Sequence, residues 1–338
     1  MATSMRAAVW EQPGEPLAIQ ERPVPELRSD DVLVEVRASG VCFTDLRILG
    51  GRPAGSDPFI AGHEPVGVIA ALGEGVSNLE LGDRVAVHPQ FACGECSYCE
   101  RGEDEACVLG ISNFAGLSID GGYAQYLRVP ARRAVPLPNA ISFEDAAPFC
   151  CAGLTVYAAL RNGGIEAGQR VAVIGIGGLG HLAISIASAL GAEVYAVTGS
   201  PDKIELALER GAVWAGDASA AATELGERGG AQILLNTANV LDPIVTLLPG
   251  MAKQGAIVLA ASDGEVFPIP PSMFIGLQLR VIGSFFGSRD DLAEVLELVA
   301  VHDIRPQIET YALDQVNEVH TRLEANEVRF RAVLLPQS

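Results

Sequence analysis

The chain has 338 residues, of which 49% are hydrophobic, and its formal net charge is −19 at pH 7. This length predicts about two domains, and the composition allows each of them a substantial core. Such an acidic surface repels the phosphates of nucleic acids, so we exclude nucleic acid as a partner. Residues 1–11 contain no apolar signal core, and we therefore expect a cytoplasmic protein.

The first part of the chain is typical of a small β-barrel, because short apolar or alternating segments are separated by Gly and Pro. The predicted strands are residues 5–10, 31–38, 66–72, 84–87 and 123–129. A helix is predicted over residues 146–160.

A histidine and several cysteines stand out in this part. His63 follows a glycine and precedes a glutamate, Cys42 comes after a predicted strand, and Cys150 and Cys151 are adjacent further on. One His and two Cys are a known ligand set for a catalytic zinc that keeps its fourth position open. Alone, Cys42 would be interpreted as a small buried hydrophobe, but together with His63 it is interpreted as a ligand. These residues do not decide between Cys150 and Cys151.

Four cysteines are clustered with the spacing C-x2-C-x2-C-x7-C. They are Cys93, Cys96, Cys99 and Cys107. Four thiolates so close in sequence can form a tetrahedral structural zinc site. A redox pair and an iron–sulfur cluster are the alternatives. Zinc is favoured because the acidic loop 100–105 offers no apolar shell for a cluster.

Residues 171–192 contain no Asp, Glu, Lys or Arg and could be mistaken for a membrane span. Glycines interrupt this run, so we predict a strand over 170–174, a glycine loop, and a helix that begins at Leu179; no membrane association is expected. The loop glycines are Gly175, Gly177, Gly178 and Gly180. In a strand-turn-helix setting, this pattern predicts binding of a dinucleotide pyrophosphate.

The remaining segments alternate between the two kinds of element, which predicts a parallel sheet. The predicted strands are residues 193–198, 232–236, 256–261, 280–284 and 330–335, and the predicted helices are residues 202–210, 290–302 and 313–326. Residues 218–222 are interpreted only as a short alanine-rich cluster.

Cofactor preference depends on the end of the second strand of this sheet, where NAD-binding proteins place an acidic residue. Here Thr198, Gly199 and Ser200 occupy that place, with no carboxylate before Asp202. Thr198, Ser200 and Lys203 could hold a 2′-phosphate. We therefore favour NADP(H), with NAD(H) as the alternative.

With these motifs, the chain resembles the zinc-dependent alcohol dehydrogenases of the medium-chain dehydrogenase/reductase superfamily, microbial branch, over almost its whole length. The motifs that carry the resemblance lie at residues 62–67, 93–99, 120–124, 151–157 and 175–180. The resemblance implies an α/β fold: a GroES-like β-barrel catalytic domain (1–151 and 291–338) and a Rossmann doubly wound parallel sheet (152–290). It also implies a homo-oligomer, with a tetramer favoured over a dimer.

The resemblance implies two zinc ions per chain. Cys42, His63 and Cys151 would bind the catalytic one and the four-cysteine cluster the structural one. Cys151 is preferred because it begins the Cys-Ala-Gly-x-Thr-Val-Tyr motif, which leaves Cys150 as an inert thiol. Glu64 would lie near the catalytic metal and approach it when the open position empties.

Other residue roles follow from the same resemblance. Asp45 would orient His63, and Thr44 would accept the proton of the substrate hydroxyl. Thr155 would contact the nicotinamide. Arg331 would contact the pyrophosphate, the alternative being a solvated surface arginine.

The chain departs from the family's pattern at three places. Phe43 replaces a basic residue that many relatives use for the pyrophosphate. Arg47 replaces their relay histidine and stays protonated, so the proton beyond Thr44 would leave through water or the cofactor ribose. His88 replaces an aromatic residue of the substrate pocket, so it would line the pocket with Phe114, or else lie in a surface loop.

The resulting prediction is hydride transfer between NAD(P)H and an alcohol/aldehyde or ketone pair, with zinc polarising the substrate oxygen. In one alternative, the same scaffold reduces C=N or activated C=C bonds. Such acceptors need less proton delivery to oxygen. A second alternative is a catalytically silent binding protein.

Overall fold

The computed structural model describes residues 3–52, 55–261, 266 and 270–338. The chain divides into two compact units, one made of Met1–Cys151 with Ser288–Ser338 and the other of Ala152–Gly287. Among the described residues we find no helix that combines the length and the apolarity needed to cross a bilayer.

The N-terminal segment contains most of the first unit. Its strands and helices are β1 (Ser4–Trp10), β2 (Ala18–Pro23), β3 (Asp31–Val41), α1 (Phe43–Gly51), β4 (Phe59–Ile60), β5 (Glu64–Leu72), β6 (Arg84–Val87), α2 (Ser97–Glu100), β7 (Tyr126–Pro130), β8 (Ala134–Pro136) and α3 (Phe143–Ala146). Its short 3₁₀ helices are Asp104–Ala106, Gly110–Asn113, Ala131–Arg133 and Ala147–Cys150.

The second unit alternates strands and helices. They are α4 (Ala152–Gly163), β9 (Arg170–Ile174), α5 (Gly180–Ala189), β10 (Glu193–Val197), α6 (Ile204–Glu209), β11 (Ala212–Gly216), α7 (Ala218–Glu227), β12 (Ala231–Asn236), α8 (Asp242–Leu247), β13 (Met251–Leu259), α9 (Pro271–Leu277) and β14 (Arg280–Gly283). Its 3₁₀ helices are Pro201–Lys203 and Leu248–Gly250.

The C-terminal segment returns to the first unit. It consists of α10 (Arg289–Val301), β15 (Ile308–Ala312), a 3₁₀ helix (Leu313–Gln315), α11 (Val316–Glu324) and β16 (Arg331–Leu335).

The first unit is built on a seven-stranded sheet in the order β15-β16-β3-β5-β6-β8, with β7 paired to the start of β3. A three-stranded sheet, β2-β1-β4, accompanies it. The central strand β3 pairs with β5, β7 and β16 in antiparallel fashion. Apolar side chains of β3, β5, β6 and β7 form one core cluster, while β1 packs with α11 and β16 in another.

The second unit contains a six-stranded sheet in the order β11-β10-β9-β12-β13-β14, and every pair in it is parallel. The strand order reverses between β9 and β12, which is where open α/β sheets bind ligands. The predicted parallel sheet is confirmed, and the charge-free run of residues 171–192 is the core of β9 and α5 rather than a membrane span.

Three sequence predictions about elements are corrected. β3 extends beyond residue 38 to Val41, because its last residues pair with β5 and β16. The single helix predicted over residues 146–160 is wrong, since a 3₁₀ helix containing Pro148 separates α3 from α4 and leaves Cys151 with non-helical dihedral angles. The alanine-rich cluster is the start of α7, capped by the Asp217 carboxylate.

Candidate metal centre and cofactor loop

Cys42 lies at the N-terminus of α1 and caps that helix. Its Sγ accepts a hydrogen bond from the backbone N–H of Thr44 at 3.4 Å, and its own N–H donates to Asp45 Oδ2 at 3.0 Å. These reciprocal bonds form a capping box. Because a helix N-terminus favours negative charge, this position stabilises a thiolate.

The Asp45 carboxylate is fully buried and has three partners. Besides the Cys42 N–H, it accepts a hydrogen bond from the Tyr123 hydroxyl at 2.8 Å, and its Oδ1 lies 2.6 Å from His63 Nδ1. A carboxylate can only accept, so Nδ1 carries the proton and Nε2 is left to coordinate a metal. Burial alone would lower the pKa of His63, but Asp45 and Cys42 together outweigh burial and raise it.

Four side chains bring potential metal donors together in the first unit. One donor atom each from Cys42, His63, Glu64 and Cys151 lies within 4.8 Å of all the others. The Sγ atoms of Cys42 and Cys151 are 4.0 Å apart, and tetrahedral coordination with Zn–S bonds of about 2.3 Å requires about 3.8 Å. The donor set therefore fits a zinc ion. The hydrogen bond between the two thiols lowers the pKa of Cys42 and raises that of Cys151.

Glu64 forms a buried ion pair with Arg331, a residue of β16 that is only 5% exposed. The alternative of a surface arginine is therefore wrong, and the pyrophosphate contact stays a prediction. Burial raises the pKa of Glu64 to about 7 although Arg331 opposes the shift. Within the described part of the chain, Glu64 Oε2 has no hydrogen-bond partner. A Cβ on Gly40 would lie 1.8 Å from that oxygen, so any other residue there would displace the carboxylate from its present position.

Aromatic side chains surround His63. The Phe114 ring is buried, with its centroid 6.1 Å from that of the imidazole in an edge arrangement. Gly62 has φ +92°, and a Cβ there would lie 2.1 Å from Cδ1 of Tyr123. The Tyr123 ring therefore packs directly on the backbone that presents His63.

His88 is fully buried, so its interpretation as a surface-loop residue is wrong. Its Nδ1 lies 3.4 Å from the carbonyl oxygen of Gln90. A role in lining the substrate pocket stays a prediction. Cys150 is also fully buried, and burial raises the pKa of its thiol, which keeps it protonated as expected of an inert residue.

The four-cysteine cluster is as compact as the donor set around His63. The Sγ–Sγ distances are 3.9 Å from Cys93 to Cys99, 3.5 Å from Cys96 to Cys99, and 3.6 Å from Cys107 to Cys93. Backbone N–H groups of residues 99 and 108 lower the pKa of Cys96 to about 6, as expected for a thiol prepared to ligate metal. These distances fit a tetrahedral zinc ion held by four sulfurs.

In the second unit, the glycine loop connects β9 to α5. Gly175 has φ +85°, and a Cβ on Gly180 would lie 1.7 Å from the Gly175 carbonyl oxygen. A Cβ on Gly177 would contact nothing within 4 Å, which leaves open space over the loop. Gly178 and Leu179 are half-buried at the start of α5. This arrangement fits a pyrophosphate at the helix N-terminus.

The residues expected around the cofactor's ribose follow β10, the neighbour of β9. The Thr198 hydroxyl accepts a hydrogen bond from the Ser200 N–H at 3.1 Å, and the Thr198 N–H donates to the Gly216 carbonyl at 2.8 Å. Gly199 lies between them, and Lys203 precedes α6 and is half-buried. Thr155 is almost fully buried in α4 of the same unit.

The sequence did not predict one residue of the metal centre, Tyr123, or one of its ion pairs. Tyr123 was noticed only as part of the motif at residues 120–124, although its hydroxyl orients Asp45. The pairing of Arg331 with Glu64 was also not predicted. The motif itself was a usable signal for Tyr123, because a tyrosine after two glycines suggests a ring packed against backbone. No local signal connects Arg331 to Glu64.

Comparisons with known proteins agree with this geometry. The model of the alcohol dehydrogenase GroES-like domain matches residues 28–139, and that of the zinc-binding dehydrogenase family matches residues 178–301. An alcohol dehydrogenase of Geobacillus stearothermophilus is 39% identical over 98% of this chain and 99% of the relative.

Two solved structures bind different nicotinamide cofactors. Acetophenone reductase from Geotrichum candidum, in complex with NAD, has a TM-score of 0.85 at 28% identity and covers 99% of this chain and 98% of its own. A dehydrogenase structure from Sinorhizobium meliloti, bound to NADP, has a TM-score of 0.87 at 28% identity and covers 99% of this chain and 100% of its own.

We predict that Gly62→Ala loses the metal bound beside His63. The added methyl would collide with the Tyr123 ring and displace the ligand backbone. Zinc content per chain, measured by mass spectrometry, should fall by about one ion. Gly82→Ala is the matched control, because Gly82 has a similar φ of +88° but no atom within 4 Å of its added Cβ. Equal zinc content in the two variants would contradict the prediction.

Proposed function

The chain belongs to the zinc-dependent alcohol dehydrogenases of the medium-chain dehydrogenase/reductase superfamily, and we propose that Cys42, His63 and Cys151 hold its catalytic zinc. It is therefore an alcohol oxidoreductase that uses zinc and a nicotinamide cofactor on a small-molecule substrate. The observation that carries the assignment of ligands is the convergence of two sulfurs and one imidazole within 4.8 Å.

In the proposed mechanism, zinc supplies Lewis acidity toward the substrate oxygen and the nicotinamide exchanges the hydride. The chain supplies position and charge. As thiolates, Cys42 and Cys151 would hold a divalent ion and compensate its charge, and Asp45 fixes the tautomer and the orientation of His63. Thr44 lies two residues after Cys42 in the first turn of α1, where its hydroxyl would accept the substrate proton.

Glu64 would be the group that approaches the metal when the substrate position empties. Its carboxylate already belongs to the set of donors within 4.8 Å, and its ion pair with Arg331 holds it there. We assign Arg331 the role of positioning Glu64, because the guanidinium contacts that carboxylate directly.

The four sulfurs of the second cluster support a second, structural zinc. Two neighbouring contacts hold its loop in place, since Arg133 forms a buried ion pair with Asp104 and the Asp104 Oδ1 accepts the Arg289 N–H at 3.1 Å. A homo-oligomer, with a tetramer favoured over a dimer, stays a prediction that light scattering would test.

The alternative functions are not favoured. The family models and the relative from Geobacillus stearothermophilus describe alcohol dehydrogenases rather than reductases of C=N or C=C bonds. A silent binding protein would have no need for a complete set of zinc donors together with a threonine in the first turn of α1.

We predict that Cys151→Ser removes the catalytic zinc, because a neutral hydroxyl is a poor substitute for a thiolate ligand. Zinc content should fall by about one ion per chain, and kcat for alcohol oxidation should fall by at least about 100-fold. Cys150→Ser is the matched control, since Cys150 Sγ lies 3.8 Å from the Pro65 carbonyl oxygen and outside the donor set. Similar losses in both variants would refute the choice of Cys151.

We predict that Thr44→Val lowers kcat for alcohol oxidation by about 10²–10⁴-fold, because it removes the group that accepts the substrate proton. Zinc content should not change, since Thr44 contacts Cys42 Sγ through its backbone N–H, which valine retains. Thr44→Ser restores the hydroxyl and should recover most of the rate. Alcohol oxidation at the wild-type rate in Thr44→Val would show that the proton leaves by another route.

We predict a higher kcat/KM for NADPH than for NADH. Thr198, Ser200 and Lys203 offer hydroxyls and a cation at the end of β10, where no carboxylate lies before Asp202. Thr198→Asp should shift the preference toward NADH, because a carboxylate there repels the 2′-phosphate and accepts from the ribose hydroxyls. A clear preference of the wild type for NADH would end this assignment.

A further inference from the structure

A cavity of about 460 Å³ in the first unit has a lining that is unusual for this chain. Its walls come from the end of α1 and from the segment 111–118, and the lining residues are Arg47, Ile48, Gly51, Arg52, Ile111, Ser112, Leu117 and Ser118. Two of them are arginines, and among the described residues of the wall none is Asp or Glu. The whole chain has 42 acidic residues against 23 basic ones, so this cavity carries the opposite charge balance.

One wall of the cavity belongs to helix α1, which starts at the metal centre. Helix α1 begins directly after Cys42 and carries Thr44 in its first turn. Thr44, Arg47, Ile48 and Gly51 have the i, i+3, i+4, i+7 spacing of one helix face. At 1.5 Å per residue, Thr44 and Gly51 are about 10 Å apart along that face. The first cavity-lining residue of α1, Arg47, therefore follows Thr44 by about 4.5 Å along the helix axis, which is less than one turn.

The other wall leads to the same place. In segment 111–118, the Phe114 ring lies 6.1 Å from the His63 ring. A Cβ on Gly116 would be 2.1 Å from the Gly62 carbonyl oxygen, so this backbone packs against the loop that presents the ligand. Both walls are thus anchored on residues next to the metal ligands.

Arg52 is held in position before any ligand binds. Arg52 donates from Nη1 to the Leu117 carbonyl at 2.7 Å, and its guanidinium lies over the rings of Trp10 and Phe59. Its Nε is buried and has no hydrogen-bond partner in the part of the chain that the structure describes. The Arg47 guanidinium carbon lies 5.4 Å from the centre of the Phe43 ring. A buried donor without an acceptor is costly, so a ligand oxygen that reached Arg52 Nε would be stabilised, and most strongly if it were anionic.

We propose that this cavity binds the carboxylate of a short-chain aldehyde or alcohol whose carbonyl or hydroxyl oxygen is held at the metal centre. The proposal rests on the function proposed above and narrows its substrate class to ω-functionalised carboxylic acids. Arg47 and Arg52 are the carboxylate-binding residues. The arginine at position 47, which cannot relay a proton, is a determinant of substrate specificity instead.

The test compares aldehydes of equal length with and without a carboxylate, 4-oxobutanoate with butanal and 6-oxohexanoate with hexanal. For the full-length, zinc-loaded enzyme, the ratio of kcat/KM for the anionic aldehyde to that for the neutral one should exceed one in at least one pair. In Arg47→Gln this ratio should fall by about tenfold to a hundredfold, mainly through KM for the anion. Arg47→Lys should recover part of the loss.

Arg228→Gln is the matched control, because it removes the same charge from the exposed guanidinium just after α7, which pairs with Glu224. In this variant, the ratio of kcat/KM for the anionic aldehyde to that for the neutral one should equal the wild-type ratio. Arg47 is tested rather than Arg52, whose guanidinium also covers two core aromatic rings. A ratio below one for both wild-type pairs, or one that Arg47→Gln leaves unchanged, would overturn the proposal.

Two further measurements separate the remaining explanations. If Arg47→Gln raises KM for NADPH and slows both aldehydes alike, the arginine serves a cofactor phosphate and the proposal is wrong. If the wild type reduces none of the aldehydes, the proposed function is wrong. Butyrate binding measured by calorimetry then tests separately whether the cavity binds a carboxylate. Butyrate binding that weakens at least tenfold in Arg47→Gln supports the carboxylate site, and absence of binding to the wild type overturns it.

Discussion

The metal centre depends on one buried carboxylate, that of Asp45. It accepts hydrogen bonds from the Cys42 backbone, the His63 ring and the Tyr123 hydroxyl, so one group sets the start of α1, the tautomer of a ligand and the packing of an aromatic ring. Burying a charge is expensive unless the charged group is hydrogen-bonded, and here three donors supply that compensation. A change at any of these partners would therefore be felt at both Cys42 and His63.

The second buried carboxylate of the site, that of Glu64, is stabilised by a residue far away in the sequence. Glu64 begins β5, and its partner Arg331 begins β16, on the other side of the central strand β3. Gly40 in β3 leaves the space that the carboxylate occupies. The C-terminal strand thus supplies a charged partner to a residue of the donor set as well as pairing with β3 in the sheet.

The sequence predicted the features that local chemistry determines. The C-x2-C-x2-C spacing and the glycine loop each fix ligand type and geometry within a few residues. The four cysteine sulfurs lie close together as expected, and two of the loop glycines pack closely as expected. Features that depend on tertiary pairing were missed. The extension of β3 to Val41 requires partners from β5 and β16, and the Glu64–Arg331 contact joins residues 267 positions apart. The burial of His88 likewise depends on packing that no local pattern encodes.

The electrostatic balance of the proposed metal centre favours the binding of a cation. Two thiols and two carboxylates, from Cys42, Cys151, Asp45 and Glu64, converge in a buried site that contains one permanent positive charge, the guanidinium of Arg331. Arg331 also raises the cost of protonating its partner, since it opposes the upward pKa shift that burial imposes on Glu64. A site with this surplus of negative groups is unfavourable in a low-dielectric interior unless protons or a metal ion compensate it. A divalent ion compensates two charges at once. Binding of the ion therefore also raises the free energy of unfolding of the surrounding fold.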